Sequence, residues 1–239
     1  MSAGALAELI RTAQPCVALT GAGVSTESGI PDFRSPTGIW AQYDPMEYAT
    51  IDAFRADPDK VWSFYGMRFR ALADARPNDA HTALAELERR GLVEAVITQN
   101  IDLLHDRAGS RNLIEVHGSI RECVCLACGA RYASADVVGD GAPRCACGAV
   151  LKPGVVMFGE LLPEGAMERA SELARAAKLL LVVGSTLEVH PVAGLPWETV
   201  ESGGDVAIVN LGPTAFDRHA TLKIEGKAGE VLRAVVEAL

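Results

Sequence analysis

The 239-residue chain has little positive charge and no apolar run of membrane-spanning length. Lysine and arginine total 22 against 31 aspartate and glutamate residues, which gives a net charge of −9. Because an acidic surface repels phosphate backbones and anionic lipids, we expect neither nucleic acid nor a membrane as a partner. The apolar stretch 179–187 is far shorter than the roughly 20 residues that cross a bilayer.

Signs of secretion are also missing. The first 14 residues contain Glu8 and Arg11 and lack the long apolar segment of a signal peptide. A disulfide scaffold would spread its cysteines, but five of the six lie between Cys123 and Cys147, while Cys16 stands alone in an apolar run. We therefore expect a cytoplasmic protein with reduced thiols, a local metal site and a buried Cys16. We also expect a monomer.

The composition, with 49% apolar and 22% charged residues, is that of a soluble globular protein and excludes disorder. Nearly continuous apolar runs predict parallel strands that are covered on both faces, at 16–20, 93–98, 113–117, 179–184, 206–210 and 222–225. Helical patterns lie between them, at 81–90, 164–178 and 229–239. Asn78 is a suitable N-cap for the first helix, and Gly91 ends it. This alternation predicts an α/β fold with a doubly wound parallel sheet.

Two segments interrupt the alternation. One carries helix-like pieces near 52–54 and 60–74, and the other carries the cysteine cluster. We interpret both as insertions that together form a smaller domain. The predicted larger domain comprises residues 1–35, 78–118 and 159–239, and the smaller one comprises the helical insertion 36–77 and the cysteine-rich insertion 119–158.

A glycine-rich loop, GAGVSTESG at 21–29, follows the first predicted strand. A strand, a glycine turn and the start of a helix suit a nucleotide pyrophosphate, since glycine permits close approach and a helix N-terminus offers free N–H groups. Thr26 stands where the dinucleotide fingerprint has its third glycine, so plain chain reversal is the alternative. Polar or glycine residues also mark four predicted strand ends, at Gly21, Gln99, His117 and Gly184. Ligands of doubly wound sheets bind at such ends, so we expect these four to meet in one crevice.

Taken together, the motifs resemble the sirtuin family of NAD-dependent protein deacylases. They run in family order along nearly the whole chain: GAGVSTESGIPDFRS (21–35), TQNIDLLH (98–105), HG (117–118), the cysteine pairs, VVMFGE (155–160), VGSTLEVHPVAGLP (183–196) and NLGPT (210–214). The resemblance implies a Rossmann-like NAD-binding domain with a smaller zinc-binding domain. It also implies NAD as co-substrate and acylated-lysine proteins or peptides as partners.

The resemblance assigns His117 as the general base, with Asn100 and Asp102 in the nicotinamide pocket. A core histidine satisfied by hydrogen bonds is the alternative for His117, a turn former for Asp32 and a helix cap for Asn100. In the family mechanism the acyl oxygen displaces nicotinamide, and His117 then helps a ribose hydroxyl to take over the acyl group. The NAD-binding residues implied are Gly21, Ala22, Gly23, Ser25, Thr26, Asp32, Phe33, Arg34, Trp40, Gln99, Asn100, Ile101, Asp102, Gly184, Ser185, Thr186, Asn210, Leu211, Gly212 and Ala228.

The cysteine cluster contains two close pairs, Cys125 with Cys128 and Cys145 with Cys147. Four thiolates in two pairs suit a closed, structural, tetrahedral Zn²⁺ site. The family usually has two residues within the second pair, whereas this chain has one. Cys123 is therefore an alternative ligand.

The acyl-lysine is expected to lie along 155–160, an extended edge on which substrate backbone pairs as a strand. Val156, Phe158 and Gly159 match the family positions that hold it. Tyr65 and Arg68 are neighbours on one helix and resemble the sirtuin class that removes acidic acyl groups, so we expect desuccinylase and demalonylase activity beside deacetylation. The alternatives are a core stripe that includes Tyr65 and a solvated surface charge at Arg68.

Two other functions compete with deacylation. Mono-ADP-ribosyl transfer to protein would use the same loop, pocket and first step. A zinc-ribbon adaptor with a vestigial nucleotide site would be expected to lack pocket residues that this chain retains. A dehydrogenase is disfavoured because no acidic ribose-binding residue follows at the usual spacing.

Overall fold

The computed structural model describes residues 2–239, in which nine strands form a six-stranded and a three-stranded sheet. The strands are Cys16–Thr20 (β1), Ala95–Thr98 (β2), Leu113–Glu115 (β3), Gly118–Cys125 (β4), Arg131–Ala133 (β5), Leu151–Val155 (β6), Leu179–Val183 (β7), Asp205–Asn210 (β8) and Leu222–Glu225 (β9). The α-helices are Ala3–Thr12 (α1), Pro45–Tyr48 (α2), Ile51–Ala56 (α3), Pro58–Asp74 (α4), Asp79–Arg89 (α5), Leu104–Ala108 (α6), Ser134–Val137 (α7), Ala166–Ala176 (α8), Leu195–Glu201 (α9) and Ala228–Ala238 (α10).

The larger sheet has the strand order β3-β2-β1-β7-β8-β9, and all its pairs are parallel. Every residue of β1 and β7 is buried, which explains their uninterrupted apolar runs. All six predicted strands are confirmed, although the second begins later, at Ala95, and the third ends earlier, at Glu115. His117 therefore lies in the short link between β3 and β4 and not in a strand.

Helices cover both faces of this sheet, as the alternating pattern predicts. On one face α1, α5 and α10 pack through Leu6, Leu84 and Leu232, and on the other α8 and α9 pack through Leu173 and Leu195. The Asn78 side chain caps α5 by accepting a hydrogen bond from the Ala80 amide at 2.8 Å, which confirms the predicted start of this helix. No helix within the described residues combines the length and the apolar character that a bilayer crossing requires.

The smaller sheet, in the order β5-β4-β6, is antiparallel and comes from the cysteine-rich insertion. Its core is shared with the helical insertion, since Trp62 and Phe69 of α4 belong to the same buried cluster as Leu151 of β6. The Trp62 indole donates a hydrogen bond to the Leu151 carbonyl at 2.7 Å. This common core supports the proposed division into a larger and a smaller domain.

Candidate active site

A cavity of about 370 Å³ opens beside the carboxyl ends of β1 and β2. Its walls come from the loops after these strands, from α4, and from the segment after β6. The predicted site residues that line it are Ala22, Ser25, Phe33, Arg34, Trp40, Tyr65, Arg68, Gln99, Asn100, Ile101, Asp102, His117, Val156, Phe158 and Gly159. The fold thus brings together residues that lie up to 137 positions apart in the sequence.

Hydrogen bonds connect the neighbouring strand ends beside this cavity. The Gln99 amide group donates to the Ser185 hydroxyl at 3.0 Å and to the Thr20 carbonyl at 3.3 Å. The His117 Nδ1 lies 3.0 Å from the Gln99 carbonyl oxygen. The four predicted strand ends are neighbours at one edge of the sheet, because the strands are parallel and adjacent, but only Gln99 and His117 line the cavity.

The glycine-rich loop is shaped by its contact with the loop after β7. The Gly23 amide donates to the Gly184 carbonyl at 2.8 Å, and a Cβ atom on Gly23 would lie only 2.9 Å from that oxygen. Glycine is required here because two backbones touch. Residues Ala22–Ser28 form a 3-10 helix in which the Gly23 amide is already bonded, so the predicted row of free amides is wrong at that position.

Three polar side chains link this loop to the loop after β2. Asn100 donates through Nδ2 to the Gly21 carbonyl at 3.2 Å and to the Ser25 hydroxyl at 3.1 Å. The Ser25 hydroxyl donates to the Asp102 carboxylate at 2.7 Å, and this carboxylate is buried. Asn100 is therefore not a helix cap; the Asp102 side chain instead bonds the Leu104 amide at the start of α6.

Two buried histidines that the sequence analysis missed stand behind this network. His81 Nε2 lies 3.3 Å from the Ser25 hydroxyl, and the His81 and His105 rings are 4.8 Å apart. Burial lowers the pKa of His81 to about 4 and that of His105 to about 3, so both rings are neutral at pH 7. The sequence held one signal: His81 occupies the third position of α5, where a capping box usually has glutamate or glutamine.

The buried His105 predicts acid-sensitive folding. Below pH 6.5 the unfolded chain binds a proton on this side chain that the folded chain does not bind until about pH 3. Its contribution to the free energy of unfolding is therefore lost as pH falls through this window, by up to about 1.4 kcal/mol per pH unit. Urea denaturation at several pH values between 7 and 4 gives the free energy of unfolding as a function of pH. In His105→Gln this free energy should fall less steeply with decreasing pH than in the wild type, by the equivalent of about one proton. Equal slopes in the two proteins would contradict this assignment.

His117 has the hydrogen bonding that a general base needs. A carbonyl oxygen only accepts, so the contact with Gln99 requires the proton on Nδ1 and leaves the Nε2 lone pair free. Burial lowers the pKa of His117, and the bond to the Gln99 carbonyl partly opposes this shift, so the neutral ring prevails at pH 7. Because one nitrogen stays available and the ring lines the cavity, a purely structural role does not account for it.

Asp32 and Arg34 differ from each other in placement. The Asp32 carboxylate accepts a hydrogen bond from the Ser35 amide at 2.9 Å and does not line the cavity, which favours the turn-forming interpretation. Arg34 lines the cavity, and its Nε lies 2.9 Å from the carboxylate of Glu188, with both side chains partly exposed. Such exposed ion pairs contribute little to the stability of a protein, so a phosphate group can compete with Glu188 for this guanidinium.

Eleven of the predicted NAD-binding residues do not line the cavity: Gly21, Gly23, Thr26, Asp32, Gly184, Ser185, Thr186, Asn210, Leu211, Gly212 and Ala228. Most follow β1, β7 or β8 at the same edge of the sheet. The Asn210 amide donates to the carbonyl groups of Leu211 and Gly212 at 3.1 and 3.3 Å, so it shapes its own loop. The Ala228 side chain is buried in the hydrophobic core, which leaves only its backbone for a ligand.

Tyr65 and Arg68 lie together in the cavity wall. The Arg68 guanidinium carbon is 5.0 Å from the Phe33 ring centroid and 5.3 Å from that of Phe64, within range of cation–π attraction. Burial lowers the pKa of Arg68 and raises that of Tyr65 to about 12. Among residues 2–239 no carboxylate lies within 4.0 Å of this guanidinium, and its half-buried position in the cavity wall favours a cavity residue over a solvated surface charge.

The segment after β6 is less regular than predicted. The strand ends at Val155, and Gly159 has a positive φ of 88°. The Val156 amide donates to the His117 carbonyl at 2.8 Å and the Phe158 amide to the Ala49 carbonyl at 2.9 Å, so these donors are already used. The prediction of a continuous extended edge over 155–160 is therefore wrong, and substrate pairing is left to the remaining backbone groups.

The four predicted zinc ligands form one cluster in which all sulfur atoms lie within 4.8 Å of one another. Cys125 and Cys147 have sulfur atoms 3.6 Å apart, and those of Cys128 and Cys145 are 3.5 Å apart. A tetrahedral site with Zn–S bonds of about 2.3 Å requires sulfur spacings of about 3.8 Å, so the cluster fits zinc. Cys123 lies outside the cluster, beside the Ser134 hydroxyl at 3.6 Å. None of the four ligands lines the cavity, which fits a structural metal.

Comparison with known proteins agrees with this geometry. A sequence model described as the Sir2 family matches residues 21–191. The "NAD-dependent protein deacylase" of Pyrococcus furiosus is 45% identical over 99% of this chain and 97% of its own length. The "NAD-dependent protein deacylase 2" of Archaeoglobus fulgidus is 47% identical, over 97% and 93%.

Solved structures show the same fold. A Sir2 variant with a deacetylated p53 peptide and 3'-O-acetyl ADP ribose is 44% identical, with a TM-score of 0.95 over 99% of this chain and 98% of that one. A Sir2 complex with p53 peptide and NAD⁺ is 43% identical, with a TM-score of 0.91 over 99% and 98% of the two chains.

Proposed function

Because the chain belongs to the Sir2 family, we propose that it is an NAD-dependent protein deacylase. The proposed reaction consumes NAD and one water molecule, transfers the acyl group of a protein lysine to ADP-ribose, and releases nicotinamide, O-acyl-ADP-ribose and free lysine. The observation that carries the proposal is the His117 ring in the cavity wall, with its proton fixed on Nδ1 and its Nε2 available.

NAD supplies the ribose carbon whose bond to nicotinamide breaks and the ribose hydroxyl that receives the acyl group. His117 Nε2 accepts the proton of that hydroxyl. The network of Asn100, Ser25 and Asp102 holds the nicotinamide end of the cavity in a fixed geometry. Phe33 covers the reacting groups against water, and Arg34 leaves Glu188 to bind phosphate.

The zinc ion belongs to the smaller domain and takes no part in the reaction. Cys125, Cys128, Cys145 and Cys147 would hold it, and two of them, Cys125 and Cys145, are part of the domain's hydrophobic core. Reduced thiols are needed for such a site, which supports a cytoplasmic protein. We propose a monomer whose partners are acylated-lysine proteins or peptides, and the net charge of −9 disfavours nucleic acid or an anionic membrane.

The finer proposal concerns the acyl group. The Arg68 side chain is half-buried, its guanidinium lies near two aromatic rings, and it has no carboxylate within ion-pair distance among the described residues. A succinyl or malonyl chain ends in a carboxylate that would satisfy it, with the Tyr65 hydroxyl as a second partner in the same wall. We therefore propose desuccinylase and demalonylase activity beside deacetylase activity.

Arg68→Met tests the acyl preference. A hydrogen bond to a charged group contributes about 1.5–3 kcal/mol, so kcat/KM for a succinyl-lysine peptide should fall by about 10- to 150-fold. The acetyl-lysine peptide of the same sequence should change less than about threefold. The matched control is Arg70→Met, which removes an exposed arginine from the same helix and should affect neither substrate. Equal losses on both peptides, or an unchanged succinyl rate, would refute the acidic-acyl proposal.

A further inference from the structure

A buried lysine lies next to the substrate segment, defined as residues 155–160. The Lys152 residue is 6% exposed, and each of its three donor positions has an acceptor. Its Nζ donates to the Pro153 carbonyl at 3.0 Å and to the Val155 carbonyl at 2.7 Å, and it forms an ion pair with the Glu160 carboxylate at 2.9 Å.

Glu160 also bonds the backbone in the middle of the segment. The same oxygen that meets Lys152, Oε2, accepts a hydrogen bond from the Met157 amide at 2.8 Å. The Glu160 amide in turn donates to the Met157 carbonyl at 3.0 Å. The pair therefore closes a loop that joins the end of β6 to both ends of the substrate segment, and Glu160 itself lines the cavity.

The fixed segment is also bonded to the proposed base. The Val156 amide donates to the His117 carbonyl, while the Phe158 amide bonds Ala49. A buried ion pair is seldom the most stabilising choice, since apolar side chains of similar size often stabilise a core as well or better. This pair supplies directed bonds that apolar side chains cannot make, to two backbone groups of the segment, at Val155 and Met157, and to the Pro153 carbonyl of β6.

We propose that Lys152 and Glu160 are positioning residues that hold the substrate segment in the shape that binds acyl-lysine. This inference rests on the proposed deacylase function. It requires that the acceptor oxygen at Glu160 matters more than its charge, because one oxygen serves both Lys152 and Met157. A displacement of about 1 Å in such a segment can cost up to about 10²-fold in kcat/KM.

The test compares Lys152→Met, Glu160→Ala and Glu160→Gln with Arg175→Met as control. Arg175 forms an ion pair of 2.9 Å with Glu198 between α8 and α9 and does not line the cavity. The measurements are kcat and KM for an acyl-lysine peptide, and the Kd for NAD in the absence of peptide. General destabilisation removes active protein and so lowers kcat, whereas a misplaced segment raises the peptide KM.

Lys152→Met and Glu160→Ala should raise the peptide KM by about tenfold or more and leave the Kd for NAD within about twofold. Glu160→Gln keeps an acceptor oxygen and should stay within about threefold of the wild-type KM, as should Arg175→Met. If Lys152→Met fails to fold, the comparison of Glu160→Ala with Glu160→Gln tests the positioning role by itself. An unchanged peptide KM in Glu160→Ala, or an equal rise in Glu160→Gln, overturns the inference. Absence of any deacylation by the wild type would instead overturn the proposed function.

Discussion

Replacing His117 by alanine is expected to lower kcat for acyl-lysine removal by about 10²- to 10⁴-fold, the usual contribution of a positioned general base. The physical reason is the bond from Nδ1 to the Gln99 carbonyl, which fixes the tautomer and leaves Nε2 to accept a proton. Since burial lowers the pKa of His117, the neutral, active form should persist to a pH below 6.5, and activity should be lost only at lower pH.

NAD binding and zinc content provide the controls for this variant. Both should stay at the wild-type level, because the His117 ring bonds one backbone carbonyl and does not belong to the cluster of four cysteines. His219→Ala removes an exposed histidine that packs on Trp197 outside the cavity, and it should leave kcat unchanged. Retention of more than about a tenth of wild-type kcat in His117→Ala would exclude its role as the base.

Loss of the metal is expected to unfold the smaller domain. Structural zinc contributes about 10–16 kcal/mol in small zinc-binding peptides, as much as the whole stability of many domains. Two of the ligands, Cys125 and Cys145, belong to the hydrophobic cluster that also contains Trp62 and Tyr65. A strong chelator or Cys145→Ala should therefore lower the melting temperature and abolish deacylation, because α4 forms part of the cavity wall.

Elemental analysis shows whether Cys123 is a zinc ligand in addition to, or in place of, one of the four clustered cysteines. Wild-type protein and Cys123→Ala should each contain about one zinc per chain, since the Cys123 sulfur bonds Ser134 and lies outside the four-sulfur cluster. Cys145→Ala should contain far less. Zinc loss in Cys123→Ala, or full zinc in Cys145→Ala, would show that the ligands are assigned wrongly.

The parts of the fold that local patterns determine were predictable. Continuous apolar runs located all six strands of the larger sheet, and the cap at Asn78 located the start of α5. The zinc ligands were predictable because each pair is close in sequence. The local shape of two loops differs from the sequence-based prediction. The residues after Gly21 form a 3-10 helix, and the segment after Val155 turns at Gly159. Both shapes depend on backbone contacts with distant loops, which periodicity does not report.

The unpredicted parts of the site are pairs that only the tertiary fold creates. His81 meets Ser25 across 56 positions, and nothing in either neighbourhood indicates this contact. From the sequence alone, Lys152 is indistinguishable from an ordinary surface lysine. Its burial and its ion pair with Glu160 become visible only in the folded structure. Arg68 illustrates the same limit, since helical spacing alone fits a solvated charge and a cavity residue equally well, and its contacts with Phe33 and Phe64 decide between them.

The most direct test of the central claim is to identify the products formed from NAD and a peptide with an isotope-labelled acyl-lysine. Mass spectrometry of the wild-type reaction should show nicotinamide, free lysine and labelled O-acyl-ADP-ribose in equal amounts, and the rate of labelled O-acyl-ADP-ribose formation should fall by about 10²- to 10⁴-fold with His117→Ala. ADP-ribose attached to protein or peptide, with the acyl group still on lysine, would contradict the account and establish ADP-ribosyl transfer instead.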